Sequence, residues 1–137
     1  MQIQPYLFFD GSCEQALQFY QAALGAKVEL MMRYKDNPEP PPPGMVPPGY
    51  GDKVMHASLR IGDNVVMAAD DCTGGSPRPQ GFALSVSGGD QADAQRRFDA
   101  LSQGGQVMMP LQKTFWAPAF GMLRDRFGVH WMVSADH

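Results

Sequence analysis

The chain has 137 residues and a mass of 15.0 kDa, with 44% hydrophobic and 18% charged residues, which suits one soluble globular domain able to bury a core. A formal net charge of −3 and a pI near 5.4, with the arginines scattered along the chain, provide no basic field for nucleic acid. No run of about 18 apolar residues could cross a bilayer, and Cys13 and Cys72 alone make no disulfide framework, so two reduced thiols are expected. The N-terminal stretch MQIQPYLFFD lacks the basic start, long apolar core and small-residue cleavage site of a secretory signal, and a cytoplasmic location is expected.

The segment PYLFF, residues 5–9, is the first strand candidate. Ser12 followed by Gln15 has the spacing of a capping box, and Cys13, Ala16, Leu17, Tyr20 and Leu24 then recur at helical period. Gly25 is the expected stop, so the helix should run from about Ser12 to Leu24. AKVELMMRY reads as a second strand. The stretch KDNPEPPPPGMVPPGYG that follows carries seven of the chain's 12 prolines and is expected to be a loop, partly polyproline II.

In KVMHASLRIGDNVVMAAD the pair Gly62-Asp63 fits a two-residue hairpin turn. That register opposes Arg60 to Val65, Ser58 to Met67 and His56 to Ala69 on one face. Met55, Ala57, Leu59, Ile61, Val66 and Ala68 form the other, a continuous apolar surface that should lie under a helix. The first face mixes a histidine, a serine and an arginine with small or flexible apolar side chains. It has the make-up of a ligand-facing surface, and equally of a solvated sheet face.

After the Gly/Pro linker DDCTGGSPRPQ the plan restarts. GFALSV is a strand, Asp90 can cap a helix carrying Ala94, Phe98 and Leu101, and Gly104 can end it. QVMMPLQ, FGMLRDR and VHWMVSA supply three further strands. Phe19 aligns with Phe98 and Gly25 with Gly104, a spacing of 79 residues in both cases. The chain therefore writes strand, helix and three strands twice. A unit of this kind covers one sheet face with its helix and leaves the other bare, and two copies can join their bare faces into a trough that encloses a pocket.

Three stretches, PYLFFDGSCEQALQFYQAALGA, VMHASLRIGDNVVMAAD and TFWAPAFGMLRDRFGVHWMVSA, carry a resemblance that spans nearly the whole chain. The last holds a Trp, a Phe-Gly and then Asp-x-Phe-Gly-Val-x-Trp. The doubled unit resembles the vicinal oxygen chelate superfamily of glyoxalase I, extradiol dioxygenases, fosfomycin-resistance enzymes and bleomycin-binding proteins. Within it the chain is most similar to the PhnB-like group, some of whose members bear a demethylubiquinone methyltransferase label. The resemblance implies an α+β fold in which two βαβββ modules, about residues 1–71 and 80–137 joined by linker 72–79, form a curved, incomplete mixed β-barrel. It also implies a homodimer that can exchange modules, while the charge and hydropathy above lead us to expect no partner in nucleic acid or membrane.

Metalloenzymes of the superfamily hold a divalent ion with His and Glu from the first and last strands of each module. The corresponding positions are Pro5, Met67, Gly81 and Met132, none of which offers a side chain for a hard or borderline cation, so the usual metal centre is expected to be missing. A relocated site using His56 and His130 lacks supporting spacing.

Strand alternation under that alignment points Pro5, Leu7, Phe9, His56, Ser58, Arg60, Met67, Ala69, Ala83, Ser85, His130, Met132 and Ser134 into the trough. It sends Tyr6, Phe8, Leu84, Val86, Val129 and Trp131 under the helices. His56 is the one candidate catalytic residue, as acid, base or hydrogen-bond donor. Its bland alternative is a histidine that only orients the sheet. Phe9, Ser58, Arg60, Met67, Trp116, Phe120, His130 and Met132 are the expected ligand contacts. Asp70 reads as a turn-closing residue, with a hydrogen bond from a nearby loop or from substrate as the alternative, Asp125 reads as a turn residue before Gly128, and Cys72, preceded by two aspartates, is a poor nucleophile.

Two functions are compatible with these residues. One is a protein that sequesters a flat or apolar small molecule, mildly favoured by ten methionines. The other is a metal-independent glyoxalase-like enzyme in which His56 moves a proton, assisted by Ser58 or Arg60. Methyl transfer finds no support, since GSPRPQG is not a GxGxxG and the strand order is not that of a nucleotide-binding sheet.

Overall fold

A computed structural model describes residues 1–39, 44, 46–72 and 77–136. The chain divides into two compact units, Met1–Pro77 and Arg78–His137. The first contains β1 (Tyr6–Phe9), α1 (Cys13–Leu24), β2 (Lys27–Arg33), a 3-10 turn (Tyr34–Asp36), β3 (Val54–Ile61) and β4 (Asn64–Asp70). The second contains β5 (Leu84–Val86), α2 (Gln91–Ser102), β6 (Gln106–Gln112), β7 (Phe120–Arg124) and β8 (His130–Ser134). The two four-stranded sheets have the orders β1-β4-β3-β2 and β5-β8-β7-β6. In each, the first and last strands of the unit pair in parallel and the other neighbours are antiparallel. The same βαβββ plan is thus built twice. The expected polyproline stretch falls partly on Pro40–Pro43 and Met45, outside the described residues.

In the first unit α1 packs on β2, β3 and β4 through Cys13, Ala16, Leu17 and Tyr20. Gly25 ends it at φ 67° and donates its N–H to the Gln21 carbonyl, the left-handed stop expected of that glycine. The expected capping box does not form. Ser12 sits at φ −110° and ψ 14°, away from the extended conformation that aims a capping side chain at the helix, and its hydroxyl caps nothing. Asp70 does the work instead: its Oδ1 accepts the Cys13 N–H at 2.9 Å, and its Oδ2 accepts the Val54 N–H at 3.0 Å.

The hairpin β3–β4 has the expected register, Arg60 opposite Val65 and Ser58 opposite Met67, with Gly62 at φ 59° in its two-residue turn. Ala57, Leu59, Val66 and Ala68 are buried on one face. The phase expected for β1 is overturned. Leu7 and Phe9 are 4% and 3% exposed, whereas Tyr6 and Phe8 are 36% and 52% exposed. Parallel pairing sets Leu7 beside Ala68 and Phe9 beside Asp70 on the helix-covered face, and Tyr6 beside Met67 and Phe8 beside Ala69 on the other. Four apolar residues in a row carry no alternation, so the partner strand chose the face.

In the second unit Asp90 caps α2 by accepting the Asp93 N–H at 2.9 Å, and the Asp93 carboxylate accepts the Asp90 N–H at 3.1 Å. Phe98 of α2 lies so close to β7 that a Cβ at Gly121 would stand 2.7 Å from its ring. Val129, Trp131 and Val133 are buried, and Leu84 pairs with Trp131 and Val86 with Val133, as alternation required. Trp131 is core, and its indole donates to Asp125 Oδ2 at 2.9 Å. Asp125 Oδ1 also accepts from Phe127 and Val129 N–H, which builds the turn before β8.

Candidate functional site

The uncovered face of the first sheet brings together most of the residues singled out in the first unit. His56, Ser58 and Arg60 alternate along β3, Met67 lies between Ser58 and Tyr6 in register, and Met32 of β2 stands opposite His56. Phe9 is absent from this group for the reason given above. Its place is taken by Tyr6 and Phe8, whose rings stack with centroids 4.9 Å apart at 25°. Tyr6 Oη lies 2.9 Å from His56 Nδ1, and the two rings are 5.7 Å apart. Arg60 is engaged by Glu29, with Nε donating to Oε2 at 3.0 Å. It does not present an unpaired cation to a ligand.

The second sheet has an equivalent uncovered face. His130, Met132 and Ser134 of β8 stand opposite Arg124, Met122 and Phe120 of β7, and Ser85 pairs with Met132. Trp116 is half exposed in a turn where Thr114 N–H donates to the Ala117 carbonyl at 3.1 Å and Ala117 N–H to Thr114 Oγ1 at 3.2 Å. Its ring packs edge-on against Phe115, at 4.7 Å, and Phe120, at 5.3 Å. The structure therefore groups Trp116 with Phe120, and His130 with Met132. Tyr6 and Phe8 join this face although alternation sends them under the helix, and Met32 and Met122 join it with no signal of their own in the sequence. The only available signal was the hydroxyl of Tyr6, which in an otherwise apolar strand needs a partner or water.

A separate cleft of about 440 Å³ lies in the first unit, lined by Gly11, Glu14, Gln15, Arg33, Lys35, Asp52, Lys53, Val54 and Asp70. Its charges are matched internally. Arg33 grips Glu14 with both terminal nitrogens, at 2.6 and 3.2 Å, and also donates to the Asp52 carbonyl at 2.7 Å. Lys35 pairs with Asp52 at 2.7 Å and Lys53 donates to the Gly11 carbonyl at 2.9 Å. The hydrogen bond from Arg33 holds the Glu14 carboxyl below its usual range, and Lys35 does the same for Asp52. Beside the cleft, burial pushes the Cys13 thiol up to about 12, with Asp70 and Glu14 adding to the effect. An arriving ion would have to displace these contacts, so the cleft is a braced junction between α1, β2 and β3.

The positions that the resemblance would assign to a metal hold no hard or borderline side-chain donor for a divalent cation. Met67 and Met132 offer thioethers, Gly81 at φ 80° has no side chain, and the Pro5 carbonyl accepts the Met67 N–H at 2.9 Å. Among the described residues no three His, Cys, Asp or Glu side chains converge, and His56 Nδ1 is taken by Tyr6.

Comparison with known proteins agrees with this architecture. The family described as the Glyoxalase/Bleomycin resistance protein/Dioxygenase superfamily matches residues 2–133. Protein YjdN of Escherichia coli K12 is 35% identical over 141 residues, covering 98% of this chain and 95% of YjdN. The crystal structure of PA1353 from Pseudomonas aeruginosa is 42% identical with a TM-score of 0.88, covering 99% of this chain and 98% of that one. A PhnB protein from Bacillus cereus, described as a putative 3-demethylubiquinone-9 3-methyltransferase, is 25% identical with a TM-score of 0.80, over 98% and 99% of the two chains.

Proposed function

The chain belongs to the glyoxalase/bleomycin resistance protein/dioxygenase superfamily and is PhnB-like, and from that premise we propose that it binds a small planar organic molecule on its uncovered sheet faces, without the superfamily's divalent metal. The observation that carries this reading is the strip Phe8–Tyr6–His56. Two stacked rings and a hydrogen-bonded imidazole lie together on a face that no helix of the unit covers, flanked by Met32 and Met67. Aromatic rings give a flat ligand a wall, thioethers adapt to its outline, and one or two polar groups fix its orientation. Trp116 with Phe120, and Met122 with Met132, supply the same chemistry in the second unit. Donor chemistry supports the metal-free part, because the family's ligand positions hold two methionines, a proline and a glycine.

A second reading is favoured by the Tyr6–His56 hydrogen bond: a glyoxalase-like enzyme in which the imidazole moves a proton on the bound molecule. The methyltransferase description of the PhnB relative is not carried over, because the βαβββ order lacks the strand–helix alternation of a nucleotide-binding sheet. No helix among the described residues is long and apolar enough to cross a membrane. A cytoplasmic homodimer completes the proposal, with the unpaired outer edges of the sheets as pairing surfaces; a strict monomer in sedimentation equilibrium would refute the dimer.

The decisive experiment measures metal content of the untagged protein and its thermal shift with Zn²⁺, Ni²⁺, Mn²⁺ and Fe²⁺, followed by a screen of planar aromatic acids and ketones. No metal, no saturable shift with ions, and stabilisation by an aromatic probe that His56→Ala removes are the expected results. Stoichiometric metal, or a saturable shift with one ion, overturns the metal-free reading.

A further inference from the structure

We propose that Tyr6 is a positioning residue that holds His56 in the Nε2–H tautomer, so that the uncovered face of the first sheet presents a hydrogen-bond donor and selects planar ligands bearing an acceptor oxygen. The inference rests on the ligand-binding reading above and names the ligand class. Its basis is the contact of 2.9 Å between Tyr6 Oη and His56 Nδ1. A neutral imidazole has one N–H and one lone pair, and whichever nitrogen meets a committed donor must be the lone pair. A phenol hydroxyl is a strong donor with a weak acceptor oxygen, whose lone pairs are shared with the ring, while an imidazole nitrogen is a strong acceptor. The matched pairing is therefore O–H to Nδ1, which leaves the proton on Nε2. Partial burial, and then the nearby Cys13, push the Tyr6 hydroxyl above its ordinary titration range, so it keeps its proton and remains a donor.

The fold supports this pairing. Tyr6 reaches His56 across β4, where Ala69 offers only a methyl group to the same face, and Phe8 stacks on the Tyr6 ring. Among the described residues Nε2 has no hydrogen-bond partner. On the same face Met32 stands opposite His56 and Met67 lies beside Tyr6 in register, and neither thioether donates a proton. A carbonyl, carboxylate, enolate or phenolate oxygen completes the bond. A ligand whose only polar group is an ammonium has no lone pair to offer, meets a donor with a donor and is rejected.

The test is the imidazole ¹⁵N spectrum of the labelled full-length protein near pH 8.5, above the ordinary histidine range, with the His56 signals assigned by their loss in His56→Ala. A pyridine-type Nδ1 and a pyrrole-type Nε2 in the wild type, giving way to a mixture in Tyr6→Phe, are expected. The reverse tautomer, or one unchanged by Tyr6→Phe, overturns the proposal with no ligand involved. In a second arm 1-naphthoate and 1-naphthylmethylamine are titrated. Tighter binding of the acid, weakened on the order of fivefold in Tyr6→Phe, supports the donor role, and equal binding of both probes overturns it. Should neither bind, the ligand-binding reading fails, and the spectrum still decides the tautomer.

Discussion

Asp70, at the end of β4, accepts the backbone N–H of Cys13, the first residue of α1, across 57 positions of sequence at 2.9 Å. Its second oxygen holds Val54, the first residue of β3, so a single buried carboxylate ties a helix start to two strands. Replacing Asp70 with Ala leaves two buried N–H groups without partners, and each such loss costs about 1–3 kcal/mol. Asp70→Ala is expected to lower unfolding free energy by about 2–5 kcal/mol in urea titrations. Asp70→Asn should cost less, since its oxygen can still serve one donor while its NH₂ faces the other.

Gly121 meets Phe98 and the Leu111 backbone so closely that an added methyl group would stand 2.7 Å and 3.0 Å from them. Gly121→Ala should cost about 1–3 kcal/mol by overpacking. Adding Phe98→Leu should recover part of the loss, and the pair should be non-additive in a double-mutant cycle.

The Cys13 thiol ordinarily titrates near 9.0 and is pushed up to about 12 by burial first, then by Asp70 and Glu14. A raised folded value means that the unfolded chain releases its proton sooner. The contribution to stability is complete below about pH 9 and is lost as pH rises toward 12. Stability should fall above pH 9 with a limiting slope of about 1.4 kcal/mol per pH unit for this group. Cys13→Ala should remove that part of the slope, leaving a later decline from Tyr50, which burial and then Asp70 push up to about 12. In native protein at neutral pH a thiol reagent should modify the half-buried Cys72 and spare Cys13.

Trp116 is half exposed and Trp131 is buried with its indole held by Asp125. Acrylamide should therefore quench the red-shifted part of the fluorescence, and Trp116→Ala should abolish that part with a stability change within about 0.5 kcal/mol. Asp125→Ala should instead perturb the Trp131 emission and destabilise by about 2–4 kcal/mol, since it strands the indole and two backbone donors.

The duplicated βαβββ plan was legible from residues alone. Helical period, the stop at Gly25, the Asp90 cap and the Gly62 hairpin are local signals, written within a few positions of the structure they specify. The mixed face of β3 was legible too, because HASLR alternates strictly and alternation assigns faces. Alternation puts Tyr6, Phe8, Leu7 and Phe9 on the wrong faces because YLFF is apolar throughout, and nothing within the segment says which side the helix covers. Ser12 misled in a similar way. Its spacing to Gln15 satisfies a capping pattern, yet the group that caps α1 comes from residue 70, beyond any local window.

The sequence by itself determined the elements, their repetition, the family and the poverty of donors at the metal positions, since each of these depends on residue identity and short-range spacing. Only the tertiary structure decided the face of β1, the carboxylate that caps α1, and the contact of Tyr6 with His56. Each depends on pairing between segments about 50 or more residues apart, where register set by strand partners, and no local propensity, selects which side chains meet.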